Sequence, residues 1–519
     1  MKGVRYILLV LNRRLHLGAG GFCVSIAKKE DLRMADVAPE NWIKRVIKPE
    51  ENEKFKKNGK DFIDEARIQE TLMAKRSPER SHIREIMAKS LELNRLEPDE
   101  TAALLNCQDE DLWQEMYRIG LDIKHKVYGR RIVTFAPLYV SNYCVNNCTY
   151  CGYRAENKDI HRQQLSMDEL AQEITALIGV GHKRLIMVYG EHPKSDVNYI
   201  AETLKVAYGT KENNGEIRRV NVNAAPLAIE DYQVLRDVGI GTYQVFQETY
   251  HHATYQNVHR SLKANYDWRI YSLHRAMEAG VDDVGIGALF GLYDWKFEVM
   301  GLLAHTIDLE EKFGGVGPHT ISFPRLQPAV NTPFAEQSPY LVDNDTFKKL
   351  VTVIRLSVPY TGMILTARES AQIRNDVINV GCTQIDASSN IGIGTYSKEQ
   401  TDYSKQQFIL GDNRSLDEAI RDLAAMGYIT SFCTAGYRCG RTGDYFMDIA
   451  KKGKVNNLCM PNAILTFKEY LLDYASPETI KAGEPLIEKE FNALPNPKLK
   501  KAVKEMLERI EAGERDLFL

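Results

Sequence analysis

The sequence predicts an α/β fold, a (β/α)8 barrel of the TIM type with a helical N-terminal leader and an appended C-terminal domain. Three observations predict it. Eight short apolar, β-branched runs alternate with longer helical patterns between residues 131 and 427. Apolar residues recur at three- and four-residue spacing ahead of them, and the alternation stops after 427.

Residues 1–60 read as a poorly structured extension, because 35–60 is polar and rich in Lys and Glu. Its one apolar stretch, VRYILLVL, is far short of the roughly 18 to 20 residues that span a bilayer, and no cleavage pattern follows Arg13 and Arg14. Met34 is an alternative start. Residues 61–130 form the helical leader, in segments such as IREIMAKSLELNRL and LWQEMYRIGLDIKHKVYG divided by the turn and cap residues of EPDE.

The barrel, 131–427, has its strands at RIVTFAPLYV, RLIMVYGE, RRVNVNAAP, TYQVFQE, DVGIGALFG, HTISFPR, MILTARE and TQIDASS. One intervening helix opens with a capping box, Ser166 and Glu169. Alternation alone also permits an open doubly wound sheet. Residues 428–519 form the C-terminal domain: a cysteine-containing loop region at 430–462 and amphipathic helices such as PKLKKAVKEMLERI.

Composition narrows the chemistry. Lys plus Arg number 67 against 70 Asp plus Glu, a net charge of −3 that gives no reason to expect a nucleic-acid partner. Nine cysteines, six of them in two clusters, do not make a secreted disulfide scaffold and fit a reducing cytoplasm, away from membranes. Cys23, Cys107 and Cys382 read as isolated thiols.

The segment SNYCVNNCTYCGYR follows the first strand, at the C-terminal face where barrels keep their chemistry. Cys144, Cys148 and Cys151 there hold three irons of a [4Fe–4S] cubane and leave the fourth open to a reacting ligand. The alternative is structural zinc, with His161 as the nearby fourth ligand.

This C-x3-C-x2-C motif, with an aromatic before its last cysteine, resembles the radical S-adenosylmethionine superfamily. The resemblance implies that the open iron chelates the cosubstrate's methionine, that Tyr150 contacts adenine, and that Gly190 and Glu191 of VYGE bind the methionine ammonium. Read alone, Tyr150 is an ordinary loop tyrosine and Gly190–Glu191 a turn. Glu248, ending strand four, suits ribose hydroxyls or a solvated salt bridge. The glycines of GIGALFG admit a nucleoside or pack the barrel.

GHKRL, GIGTYQVFQETYH, EEKFGGVGPHTISFPR, SLDEAIRDLAAMGYITSFCTA and GRTGD are similar to the family of tyrosine lyases of [FeFe]-hydrogenase maturation, over about residues 60 to 485. That resemblance implies one-electron cleavage of S-adenosylmethionine and hydrogen abstraction from the amino group of L-tyrosine. Cα–Cβ scission to p-cresol and dehydroglycine follows, and in the maturases carbon monoxide and cyanide are then formed. It also implies a one-electron donor such as flavodoxin or ferredoxin, and other maturation proteins as partners. The runner-up is a 2-iminoacetate synthase of anaerobic thiamine biosynthesis, which cleaves tyrosine without the C-terminal cluster. A third reading is a non-catalytic iron–sulfur carrier, which would need no nucleoside site.

Holding the tyrosine carboxylate calls for a guanidinium, and Arg325 and Arg368 both end strands; either is alternatively a structural ion pair. Ser322 is a second contact. The maturases carry C-x2-C-x22-C for a second cluster in an iron–sulfur C-terminal domain. Here Cys433 and Cys459 keep the outer spacing, Gly436 stands in the middle, and Cys439 is the expected substitute. His319, opening strand six, is placed as the ligand of an extra iron or as a core histidine.

Overall fold

The computed structural model describes residues 39–398 and 402–519; Cys23 and Met34 lie outside them. Strand β1, Arg131–Ser141, is buried along its whole length, as a parallel strand covered on both faces must be, and this is why it reads as a continuous apolar run. Seven more parallel strands follow: β2 Arg184–Tyr189, β3 Arg219–Asn223, β4 Thr242–Gln244, β5 Asp283–Gly287, β6 Thr320–Ser322, β7 Gly362–Leu365 and β8 Gln384–Asp386. Each pairs with the next, from Leu185↔Val220 to Ile364↔Gln384, and Thr134↔Ile385 closes β8 onto β1. The sheet is therefore a closed eight-stranded barrel, the predicted (β/α)8 fold, and all eight strand segments were visible in the sequence. The open-sheet alternative is excluded by the β8–β1 pairing.

Because β1 is long, its C-terminal half pairs β2 while its N-terminal half carries β8 and an added strand, β9 Ile429–Ser431, through Ile132↔Thr430. The chain after 428 thus begins as an extension of the barrel sheet. This places Cys433 at the barrel floor and Cys144 at its mouth. Val133, the partner of Ser431, and Ser141 are eight residue steps apart along β1, roughly 26 Å at about 3.3 Å per residue. The C-terminal helices Val455–Asp473, Pro477–Asn492 and Pro497–Glu511 bury Ile464, Phe467, Leu486 and Val503 in a second apolar cluster. The barrel-side helix Leu416–Ala425, capped by the Ser415/Glu418 box, shares that cluster through Leu416 and Ile420.

Four leader helices, Glu65–Ala74, Arg80–Leu91, Pro98–Leu105 and Glu110–Tyr128, precede the barrel. Upstream of them, part of the expected extension is helical, at Pro39–Val46 and Glu50–Glu53. Trp42, Asn52 and Phe55 are buried. Polar composition hid this because tertiary partners order the segment: Asn52 bonds Asp267 O at 3.1 Å and Arg275, and Lys56 pairs with Asp267 at 2.8 Å. Among the described residues no helix is long and apolar enough to cross a membrane.

The leader docks onto the loop after β4 through His252, which lies 2.9 Å from Asp61 and 2.8 Å from Glu65. The hydrogen bond to Asp61, opposed less strongly by burial, raises its pKa from 6.5 to about 9. A raised folded-state pKa stabilises fully below 6.5 and is lost as pH rises through about 9. Thermal midpoints of the protein are therefore expected to fall between pH 7 and 10, and His252→Gln to flatten that slope. An unchanged slope in the variant would assign the dependence elsewhere.

Candidate active site

The loop after β1 is shaped by hydrogen bonds to its backbone before any metal is considered. Arg162 Nη1 donates to the carbonyls of Asn142 and Tyr153, at 2.7 and 2.8 Å, and its Nη2 to that of Arg154 at 2.6 Å. Asn142 Nδ2 donates to His161 O, and Gln163 N returns a bond to Asn142 Oδ1. Cys144, Cys148 and Cys151 consequently line one cavity at the barrel mouth, together with Tyr150, Gly190, Glu191, Glu248, Ser322 and Arg368. Arg325, predicted for the mouth, lies outside this cavity.

The three thiols suit an iron–sulfur cluster. Burial pushes the Cys144 thiol up to about 11 and Cys148 higher still, so both become thiolates only when a cation sits among them. Amide donors already face two sulfurs, Asn146 Nδ2 3.7 Å from Cys144 and Gln407 Nε2 3.5 Å from Cys151, the bonds that tune cluster sulfurs. His161, the fourth ligand expected for zinc, is exposed and does not line the cavity. Among the described residues no three His, Cys, Asp or Glu side chains converge tightly enough for a single ion.

Asn146 joins the other walls of the site. Its Nδ2 donates to Glu191 at 2.5 Å and its Oδ1 accepts from Lys263 N at 2.9 Å. Burial raises the Glu191 pKa, with Arg269 and Asn146 opposing. Gly190 must lack a side chain, because a Cβ there would collide with the Tyr143 carbonyl oxygen. Glu248, at φ 72°, faces Lys263 Nζ at 2.8 Å and Arg269 Nη2 at 3.3 Å. Burial alone would raise its pKa; the two cations outweigh burial and hold it below the usual value, so an ionised acceptor faces the cavity. The Tyr150 hydroxyl bonds His259 Nε2 at 2.7 Å. His259 Nδ1 lies 3.0 Å from the Tyr255 carbonyl, which can only accept, so Nε2 accepts from Tyr150 and the phenol is engaged. What Tyr150 offers the cavity is its ring. Gly287 is packing: a Cβ there would lie 2.6 Å from Phe246 Cδ1.

The two arginines separate. Arg325 is bound to Glu369, with Nε 3.0 Å from Oε1 and Nη2 on Oε2, and its other donors go to Val342 O at 2.8 Å and Asn344 Oδ1 at 3.0 Å. Its guanidinium is thus occupied by an ion pair with Glu369. Arg325→Ala strands Glu369, 2 % exposed, and is expected to cost about 3–5 kcal/mol of stability, read as a lowered urea midpoint; an unshifted midpoint would refute it. Arg368 instead stacks on Phe408 at 3.3 Å and makes no ion pair among the described residues. Ser322 Oγ, buried in the same cavity, also lacks a hydrogen-bond partner there.

At the barrel floor, Cys433, Gly436, Cys459 and His319 line a second cavity. Arg131, Arg184 and Arg219, which open β1, β2 and β3, are buried beside it. Burial raises the Cys433 thiol, but these three guanidiniums outweigh it and bring the pKa below the usual value. Arg184 Nε and Arg219 Nη1 find no hydrogen-bond partner among the described residues. Two thiols beneath a surplus of buried positive charge fit an anionic sulfur cluster. Cys439 does not join them: it is exposed, with Sγ 3.9 Å from Leu519 O. The substitute ligand expected from spacing therefore lies outside the cavity lining. Cys107 and Cys382 are isolated and buried, Cys382 pushed up to about 12 by burial. Lys263, Arg269, Asn146 and His259 escaped the sequence reading. The one signal for Asn146 was its place between the ligand cysteines.

Comparison with known proteins agrees with this geometry. Residues 138–302 match the radical SAM superfamily and 322–429 the biotin and thiamin synthesis associated domain. The chain is 28% identical over 342 residues, 65% of its length and 87% of the relative's, to 2-iminoacetate synthase of Escherichia coli (strain K12). A crystal structure of HydG, a maturase of the [FeFe]-hydrogenase, superposes with a TM-score of 0.85 at 49% identity, over 89% of this chain and 100% of that one. HydG from Carboxydothermus hydrogenoformans gives a TM-score of 0.74 at 38% identity, over 85% and 98%. The chain therefore belongs to the radical SAM superfamily and, within it, to the HydG family, related to 2-iminoacetate synthase.

Proposed function

We propose that this protein is a radical S-adenosylmethionine carbon–carbon lyase that cleaves the Cα–Cβ bond of L-tyrosine to p-cresol and dehydroglycine. The observation that carries the reading is Arg368, a partly buried guanidinium that makes no ion pair among the described residues, in the cavity that Cys144, Cys148 and Cys151 line. When bound, the [4Fe–4S] cluster supplies the electron that splits S-adenosylmethionine into methionine and the hydrogen-abstracting 5′-deoxyadenosyl radical. The chain's residues do the placing. Glu248 accepts from the ribose hydroxyls, Glu191 with Gly190 receives the methionine ammonium, and the Tyr150 ring flanks the adenine. Arg368 clamps the tyrosine carboxylate through paired charge-assisted bonds, with Ser322 Oγ beside it, so the amino group is fixed at the radical. Burial of the cavity wall keeps water from quenching it.

Conversion of dehydroglycine to carbon monoxide and cyanide depends on a second cluster at Cys433 and Cys459, with His319 facing it. The position of Cys439 favours the second reading, a lyase that stops at the glycine fragment as 2-iminoacetate synthase does. A carrier is disfavoured, having no need of Glu248 or Arg368 in a nucleoside-sized cavity. A flavodoxin or ferredoxin, other maturation proteins and a cytoplasmic setting complete the proposal. Anaerobic reconstitution, reductant, S-adenosylmethionine and tyrosine are expected to yield p-cresol. Carbon monoxide and cyanide in the same vessel mark the full reaction, glyoxylate without them the shorter one, and no cresol at all rejects the lyase.

A further inference from the structure

We infer that His319, not Cys439, supplies the third protein ligand of the floor cluster, giving a Cys433–Cys459–His319 set in which an imidazole replaces a thiolate at one iron of the cubane. The inference rests on the second-cluster part of the reading above and changes the part played by His319, from ligand of an extra iron to ligand of the cubane itself.

Three observations carry it. His319, Cys433 and Cys459 line one cavity, and Cys439 does not. The imidazole is oriented: His319 is 6 % exposed, its Nδ1 lies 3.2 Å from Asp283 Oδ1, and its ring packs on Phe446 at 4.1 Å. Nδ1 makes no hydrogen bond among the described residues, and the charge nearest to it is that carboxylate, which favours the proton on Nδ1 and the lone pair on Nε2, as in metal-binding histidines. That other nitrogen, Nε2, lies 3.3 Å from the hydroxyl of Tyr437, the residue after Gly436, so it is directed at the turn where the third thiol is missing. Imidazole is a competent ligand for iron–sulfur clusters and raises their potential.

Gly436 itself is not required by the backbone. It sits in the short helix Ala435–Arg438, and a Cβ there would meet nothing closer than Arg441 at 3.9 Å. A thiol at 436 is therefore sterically admissible, which makes a rescue experiment available.

The test uses the full chain, reconstituted anaerobically and read by bound iron, sulfide and EPR rather than by turnover. His319→Ala is expected to lose about one cluster's worth of iron while Cys439→Ala keeps it, and His319→Ala with Gly436→Cys to regain it. In Cys144→Ala/Cys148→Ala/Cys151→Ala protein grown on 15N-histidine, pulsed EPR of the reduced floor cluster should show a strongly coupled imidazole nitrogen. That measurement decides the matter even if His319→Ala misfolds. Loss of iron in Cys439→Ala with retention in His319→Ala, retention in both, or absence of nitrogen coupling overturns the inference and leaves the second cluster standing. Wild-type protein with a single cluster overturns the second-cluster reading itself, and the ligand set with it.

Discussion

Cys148→Ala is expected to abolish 5′-deoxyadenosine formation and, with it, p-cresol. A cubane held by these three thiolates would have no spare ligand among the described residues: His161 is exposed and no other described cysteine lines the cavity. Removing one sulfur leaves a second iron without a protein ligand, which destroys cluster retention rather than weakening it. The fold should survive. The loop is held by Arg162 on three carbonyls and by Asn146 between Glu191 and Lys263, and none of these contacts passes through the Cys148 sulfur. Circular dichroism of the variant should therefore match the metal-free parent while bound iron drops by about one cluster. Deoxyadenosine released at the parental rate would remove the radical assignment altogether.

How much of this was legible in the sequence follows from the range of the forces involved. Parallel strands buried on both faces write themselves as apolar, β-branched runs, so RIVTFAPLYV and its seven successors were visible. The C-x3-C-x2-C spacing is equally local. What failed to show was any partner chosen across the fold. Arg325 and Arg368 both follow strands and look alike in sequence. The carboxylate that separates them, Glu369, is the neighbour of Arg368 yet turns to Arg325. Cys439 looked like a replacement because it lies three residues past Gly436, but that places it about one helical turn further along, roughly 4.5 Å of rise, at the exposed end of Ala435–Arg438. Residues 39–60 looked disordered because their ordering comes from Asp267 and Arg275, more than two hundred residues away. Positive charge at the floor was written as three separate strand-initial arginines, which only the closed barrel brings round Cys433.

Arg368→Ala is expected to raise the KM for tyrosine and lower kcat/KM roughly hundredfold, from about 3 kcal/mol of lost charge-assisted bonding. The cation is already partly desolvated: burial lowers its pKa, though a guanidinium stays charged, and Phe408 stacks one face. Little reorganisation is left to oppose the binding of a carboxylate. Lys in its place keeps the charge but not the planar fork, so Arg368→Lys should recover only part of the loss. The residues proposed for the cosubstrate follow other strands, Glu191 after β2 and Glu248 after β4. Reductive cleavage therefore continues in the Ala variant, and deoxyadenosine is released without matching cresol. That uncoupling distinguishes a substrate clamp from a structural arginine, for which Arg325→Ala is the control: it should lower stability and leave the ratio of cresol to deoxyadenosine in the folded fraction unchanged. Equal loss of both products in Arg368→Ala, or uncoupling in Arg325→Ala, would reverse the two assignments.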